Sequence, residues 1–457
     1  MTYDIAIIGG GPGGYTCADK AAKAGLKTVL FEKAFLGGTC LNRGCMPTKS
    51  LLHSAETYTA LKHAADLGVN AGDVGYDFGV MHRKKNEVVE KLRQGVAQLM
   101  KAGKIDVIEG QARVEGPGKI SCNGELYEAA DIVVATGSKI ASPPIPGKEL
   151  PGVYSSNDLL IGDGVPFDSL IIIGGGVVGT ECASIYLALG AQVTILEAAD
   201  HILPLMDKEI AQRLALILKK QGGKVEAKAF VSKIEGEPGN MSVTWTDKKG
   251  NEQVSTAQGV LLAAGRIANT DDLFAPGAEP EMEKGAILAD ENGRTSLPHL
   301  YVIGDAKAHN IQLAHVAEAQ GTNMAALLAG KEPPMDMRVV PNCVYTTPEV
   351  ASVGLSEEQA KAEGIPVKCG KYLTGANGKC LIENTESGYV KLVAHKDTGV
   401  ILGAQLVCPR ATDLIGELAV AVQQALTANE LSSVIHPHPT FIPCEQKHMP
   451  RDSCLLT

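Results

Sequence analysis

Short apolar runs alternate with helical periodicity through the first half of the chain. That is the pattern of strands buried on both faces of a parallel sheet and joined by helices. Asp4-Ile5-Ala6-Ile7-Ile8 predicts the first strand, Gly9-Gly10-Gly11-Pro12-Gly13-Gly14 the turn after it, and an alanine-rich stretch to about Ala24 the first helix. Residues 27–31 predict a second strand, which ends at Glu32. The sequence repeats this order: Ser169-Leu170-Ile171-Ile172-Ile173 leads into Gly174-Gly175-Gly176-Val177-Val178-Gly179, and Val193-Thr194-Ile195-Leu196 ends at Glu197. Gly14 precedes Glu32, and Gly179 precedes Glu197, by the same 18 positions. After each copy, alternating segments with glycine turns predict a small antiparallel meander, over 105–135 in the first and through Pro238-Gly239-Asn240 and Lys249-Gly250-Asn251 in the second. The likeness makes the repeat a whole-domain one.

The remaining periodicity predicts an amphipathic helix over 86–102, a strand from Leu300 to the carboxylate of Asp305, and a helix over about 313–329. At the level of local structure alone, Asp305 reads as a helix N-cap, a role compatible with facing a cofactor. From about 337 the pattern changes to an alternating sheet with turns at 375–378 and 396–399, then a long helix over about 411–428. A mixed sheet with a helix at this end suits a dimerisation domain. The expected architecture is α/β, with two Rossmann-like dinucleotide-binding domains and a C-terminal α+β interface domain. The boundaries fall at 1–144 (first dinucleotide), 145–266 (second), 267–336 (a central part completing the first site) and 337–457 (interface).

Each glycine motif carries a mechanism. Gly9 and Gly174 make the turn, Gly11 and Gly176 let a pyrophosphate approach the backbone, and Gly14 and Gly179 let helix and strand pack closely. Glu32 and Glu197 suit a ribose hydroxyl, and Glu197 repels a 2′-phosphate, which favours NAD over NADP at the second site. Two sites imply one bound redox cofactor and one that exchanges.

Composition narrows the class. In 457 residues with a formal charge of −10 and 4% aromatics there is no polyanion-binding signature and no stacking surface for nucleic acid. Apolar runs stay short of the roughly 18 residues of a membrane span, and the chain enters a strand by Asp4, so no signal peptide is expected and the location expected is cytoplasmic. No metal cluster is expected. Most of the 11 cysteines are then reduced thiols, which leaves one close pair to explain. Cys40 and Cys45 flank Leu41-Asn42-Arg43-Gly44 and precede Met46-Pro47-Thr48-Lys49. A pair so close can form a disulfide within one turn of chain, and a helix starting near Cys45 would stabilise a thiolate there. A static disulfide, two unrelated core thiols and a metal site are the alternatives; the flanking dinucleotide motifs favour redox chemistry.

With these residues in place, the chain resembles the flavin disulfide oxidoreductases, the class I pyridine nucleotide-disulfide oxidoreductase family, and within them the dihydrolipoamide dehydrogenases. The resemblance runs from about Tyr3 to about Phe441. It is carried by the 38–49 segment, by Ala135-Thr136-Gly137, Gly304-Asp305 and Tyr345-Thr346-Thr347-Pro348-Glu349-Val350-Ala351-Ser352-Val353-Gly354, and by His436-Pro437-His438-Pro439-Thr440. It implies FAD at the first site, on Gly9, Gly11, Pro12, Gly14, Glu32, Lys33, Gly38, Thr39, Lys49, Ala112, Thr136, Gly137, Asp305 and Ala314. It implies NAD at the second, on Gly174, Gly176, Val177, Val178, Gly179, Glu197, Val231 and Gly265. It further implies a redox-active Cys40–Cys45 disulfide, Lys49 paired with Glu181 near the flavin, and a homodimer in which His438 of one chain completes its partner's site. The implied reaction oxidises protein-bound dihydrolipoamide, on a lipoyl-bearing partner from a 2-oxoacid dehydrogenase or glycine-cleavage complex, and passes hydride to NAD⁺.

The sequence departs from the resemblance at its end. Pro443 stands where a glutamate would hold the His438 imidazole, two positions before Glu445, which could substitute for it. Without such support a loss of about 10- to 100-fold or more in rate is expected. Cys444 and Cys454 are candidates for a C-terminal shuttle, and the last four residues superficially resemble a prenylation box that nothing else supports. Competing readings are an NAD(P)H-driven disulfide or metal-ion reductase, which Glu197 and the lack of adjacent terminal cysteines disfavour, and a binding subunit with a vestigial redox site.

Overall fold

The structure is a computed structural model that describes residues 2–385 and 388–441. Parallel strands in the order 106–109, 28–32, 2–8 and 125–134 form the first sheet, and 300–302 joins the far side of 125–134. The second sheet has the same plan: 224–227, 192–197, 169–173, 259–262 and 153–155, all parallel. The outermost strand of the first sheet thus comes from the chain after the second repeat, which interlocks the two halves.

Helices α1 (Pro12–Lys23) and α6 (Val177–Ala188) follow the two glycine turns. A Cβ on Gly14 would overlap the Gly9 carbonyl, and one on Gly179 the Gly174 carbonyl, so each third glycine permits the close helix–strand contact. The redox segment folds as α2 (Gly38–Arg43) and α3 (Cys45–Lys62), separated only by Gly44. Then come α4 (Phe78–Ala102), α5 (Ser156–Leu160), α7 (Lys208–Lys220) and α8 (Ala314–Leu328). The C-terminal part is a five-stranded antiparallel sheet, in the order 342–344, 350–354, 401–407, 389–395 and 367–373, with helices α9 (Glu357–Ala362), α10 (Gly378–Ile382), α11 (Ala411–Gln423) and α12 (Ala428–Ser433).

Several expectations change. The helix expected over 86–102 begins at Phe78, because the Asp77 carboxylate caps the Val80 amide at 2.9 Å and starts it two turns earlier. Residues 106–109 lie parallel beside 28–32, so the first meander contains only 113–116, 119–122 and 125–134. The helix expected over 411–428 stops at Gln423. Ala425 takes a left-handed φ of 52°, and Thr427 starts α12 with a capping box. The turn expected at 375–378 is a 3-10 turn running into α10. Among the described residues, no helix is long and apolar enough to cross a membrane.

Candidate active site

Gly37 and Gly38 both have left-handed backbones, with φ of 94° and 57°. They bring α2 against the first glycine loop: a Cβ on Gly38 would lie 2.6 Å from Gly11 Cα. Cys40 lies within α2 and Cys45 is the first residue of α3. Their Cα atoms are 4.6 Å apart and their sulfurs are joined in a disulfide. Cys45 therefore sits at a helix N-terminus, where unpaired amides favour a thiolate. The seven other described cysteines are free, and burial pushes each thiol up, Cys17 and Cys182 to about 12. Among the described cysteines, burial thus disfavours a thiolate everywhere but at the bonded pair.

One turn into α3, Lys49 Nζ lies 2.9 Å from both carboxylate oxygens of Glu181 on α6. Glu181, 4% exposed, also accepts from the Tyr345 amide at 2.9 Å, and the Lys49 ammonium stands 4.3 Å from the centre of the Tyr345 ring. A buried carboxylate with a cation and an amide on it is fully compensated, and it fixes the cation's position.

One cavity of 1770 Å³ reaches from this pair into both nucleotide clefts. Its walls include Cys40, Cys45, Lys49 and Glu181, together with every predicted cofactor residue except Gly14 and Gly179, the two packing glycines. Glu32 accepts from the Gly10 and Ala34 amides at 2.7 and 2.8 Å, and Glu197 accepts from Gly175 and Ala199 at 2.6 and 2.7 Å. Both carboxylates hold their own loops as well as facing the clefts.

Asp305 lies in a 3-10 turn and caps no helix; α8 begins after Leu313. Its carboxylate accepts from Ser138 Oγ at 2.6 Å, and Arg266 donates to Ser138 Oγ and Ser138 O at 2.7 and 2.6 Å. Burial raises the Asp305 carboxyl above its usual range, against the opposing pull of Ser138 and Arg266. Sequence reading missed Ser138 and Arg266 as site residues; each directly follows a motif glycine, Gly137 or Gly265, which is the signal available. Thr136 Oγ1 is buried with no hydrogen-bond partner among the described residues. An unmet hydroxyl, a buried carboxylate and a glycine-lined cradle fit FAD in the first cleft.

His438 is exposed and does not line this cavity. The neighbouring His436 Nε2 lies 2.7 Å from Glu417. Pro443, Cys444, Glu445, Cys454 and the terminal box lie outside the described residues. No group of three His, Cys, Asp or Glu side chains among the described residues is arranged to hold a metal.

Residues 3–321 match the family model described as pyridine nucleotide-disulphide oxidoreductase, and 340–445 match the dimerisation domain of the same family. The chain is 40% identical to a dihydrolipoyl dehydrogenase of Bacillus subtilis (strain 168), covering 96% of this chain and 95% of that one. It is 38% identical to the mitochondrial dihydrolipoyl dehydrogenase of Pisum sativum, covering 96% and 89%. Among solved structures it is similar to the HOCl-induced flavoprotein disulfide reductase RclA from Escherichia coli, with a TM-score of 0.86 and 30% identity over 98% of this chain and 99% of that one.

Proposed function

The chain belongs to the pyridine nucleotide-disulphide oxidoreductase family, and on that premise we propose that it oxidises a protein-borne dihydrolipoyl dithiol to the cyclic disulfide and reduces NAD⁺. The observation that carries this reading is the Cys40–Cys45 disulfide, opening with the Lys49–Glu181 pair into one cavity shared by two dinucleotide cradles. The expectations from the glycine motifs and the paired cysteines agree with it, as do the relatives named dihydrolipoyl dehydrogenase.

In this mechanism a substrate thiolate attacks Cys40 Sγ, the S–S bond breaks, and Cys45 leaves as a thiolate at the N-terminus of α3. The second substrate thiol displaces Cys40, closes the product ring and leaves the enzyme as a dithiol. His438 of the partner subunit accepts the substrate proton, which fits its exposure here and the match of the C-terminal region to a dimerisation domain. Glu181 holds the Lys49 ammonium at the cavity wall. The residues holding FAD are Gly9, Gly11, Glu32, Gly38, Thr39, Thr136 and Asp305; those holding NAD are Gly174, Gly176, Glu197 and Gly265. Bound FAD supplies a two-electron relay from the enzyme dithiol to NAD⁺. The sum is one dithiol and one NAD⁺ giving one disulfide, NADH and a proton.

Anaerobic titration of the purified holoprotein tests this. Dihydrolipoamide is expected to produce a long-wavelength thiolate–flavin band and then NADH when NAD⁺ is added. Turnover with glutathione disulfide and NADH, with none from dihydrolipoamide, would instead make the chain a disulfide reductase like its structural neighbour.

A further inference from the structure

Asn42 lies between the two redox cysteines, and its side-chain amide makes three hydrogen bonds. Its Nδ2 donates to Leu36 O at 3.0 Å and to Gly38 O at 2.9 Å, while its Oδ1 accepts from Arg93 Nε at 3.2 Å. Both neighbours of the amide thus agree on its orientation, with nitrogen toward two carbonyls and oxygen toward a guanidinium. Arg93 belongs to the 25-residue helix α4 and is itself held: its guanidinium carbon stands 4.1 Å from the centre of the Phe35 ring, and Nη1 lies 3.2 Å from Glu90. These contacts converge on a weak element. Helix α2 has six residues, too few for stability of its own, and it starts from two left-handed glycines. Its placement, and hence that of Cys40, rests on the Gly37 amide bonded to Gly10 O at 2.8 Å, on buried Leu41 and on the Asn42 staple.

We propose that Asn42 and Arg93 form a positioning relay that sets the Cys40–Cys45 pair against the Gly11–Gly38 cradle and so tunes the dithiol–disulfide equilibrium. Leu36 and Gly38 flank the turn that seats α2 on the first glycine loop, so one amide fixes both the cofactor cradle and the sulfur that the substrate attacks. Arg93 transmits the rigidity of α4 to that amide. Neither residue touches the reacting sulfurs through its side-chain hydrogen bonds; their effect is on how closely and how persistently the two thiols meet. This inference rests on the redox reading of the pair but not on the identity of the dithiol substrate.

The decisive variant is Asn42→Asp, which keeps shape and the Arg93 contact but turns an acceptor toward two carbonyl oxygens. The holoprotein would be equilibrated in defined mixtures of reduced and oxidised dithiothreitol, then alkylated, and its oxidised fraction read by mass spectrometry. The constant for disulfide formation, read on the fraction that retains FAD, is expected to fall about tenfold in Asn42→Asp and about threefold in Arg93→Met, which keeps the stem packing but loses the donor. An Asn42→Asp constant within twofold of the parent would overturn the relay. Should that variant fail to fold, an unchanged constant in Arg93→Met would do so. A parent that equilibrates as expected but is inert to dihydrolipoamide would remove the substrate assignment and leave the relay standing.

Discussion

Burial lifts the Asp305 carboxyl above its usual value of 3.8, while the Ser138 hydroxyl and the Arg266 charge work to hold it down. The ionised side chain therefore destabilises the apoprotein at neutral pH. Between the unfolded and the raised folded pKa the folded state binds more protons, so this contribution falls as pH rises. Asp305→Asn is accordingly expected to raise the apoprotein melting temperature at pH 7 by about 2 °C or more, while FAD retention on gel filtration drops. Lowering the pH toward 4 should erase the difference in melting temperature; an advantage that persists there would contradict a charge origin. Asp305 was legible in the sequence because a strand runs straight into it. Ser138 and Arg266 were not, because their significance comes from pairing across 128 positions of sequence. Local spacing shows which residues a motif contains but not which distant side chain completes its hydrogen bonds.

Helix α4 crosses from one half of the molecule to the other. Lys85, 1% exposed, donates to the O of Leu160, the last residue of α5, at 2.6 Å and to Gly162 O just past it at 2.8 Å, and His82 packs beside it. Burial lowers the Lys85 ammonium from 10.5 to about 8. Between about pH 8 and 10.5 the unfolded chain holds the proton that the folded chain has released, so stability from this group rises with pH. The melting temperature of the parent, measured against Lys85→Met, is expected to gain by a few degrees from pH 7 to pH 10. A flat difference would show that the ammonium is paired more fully than these carbonyls allow. The elements themselves divide by what encodes them. Strands and first helices follow local hydrophobic periodicity and were read closely. The early start of α4 needed a single cap, Asp77, and the early end of α11 a single left-handed residue, Ala425; periodicity averages over both. The placement of 106–109 beside 28–32 is a tertiary pairing that a turn pattern cannot distinguish from a meander.

The molecule as a whole is tied together at the second nucleotide-binding half. Lys391, on the C-terminal sheet, bridges Glu209 of α7 at 3.2 Å and Glu357 of α9 at 2.7 Å, and Lys371 pairs with Glu209 as well. The C-terminal region is thereby held in register with the rest, while His438 faces outward. If that histidine serves the partner subunit, two inactive variants should complement. In dimers reassembled from equal amounts of Cys45→Ser and His438→Gln, one site in each mixed dimer is intact, and about a quarter of parental dihydrolipoamide turnover is expected. Activity at background level would place the histidine in its own chain's site, and about half of parental turnover would put it outside the reaction. The two-fold internal repeat was visible in the sequence; the interlocking of the halves through 300–302 was not, because three residues of strand say nothing about which sheet they join.

The carboxylate of Glu197 faces the second cleft and at the same time holds the amides of Gly175 and Ala199. A residue with two duties is difficult to exchange. Drift toward the phosphorylated coenzyme would begin by removing that acid, and the glycine loop would slacken before any new cation could reward the change. On the proposed assignment, coenzyme choice in this chain is thus anchored in the architecture of the pocket as firmly as in recognition of the ribose, and a successful switch would have to rebuild the loop first.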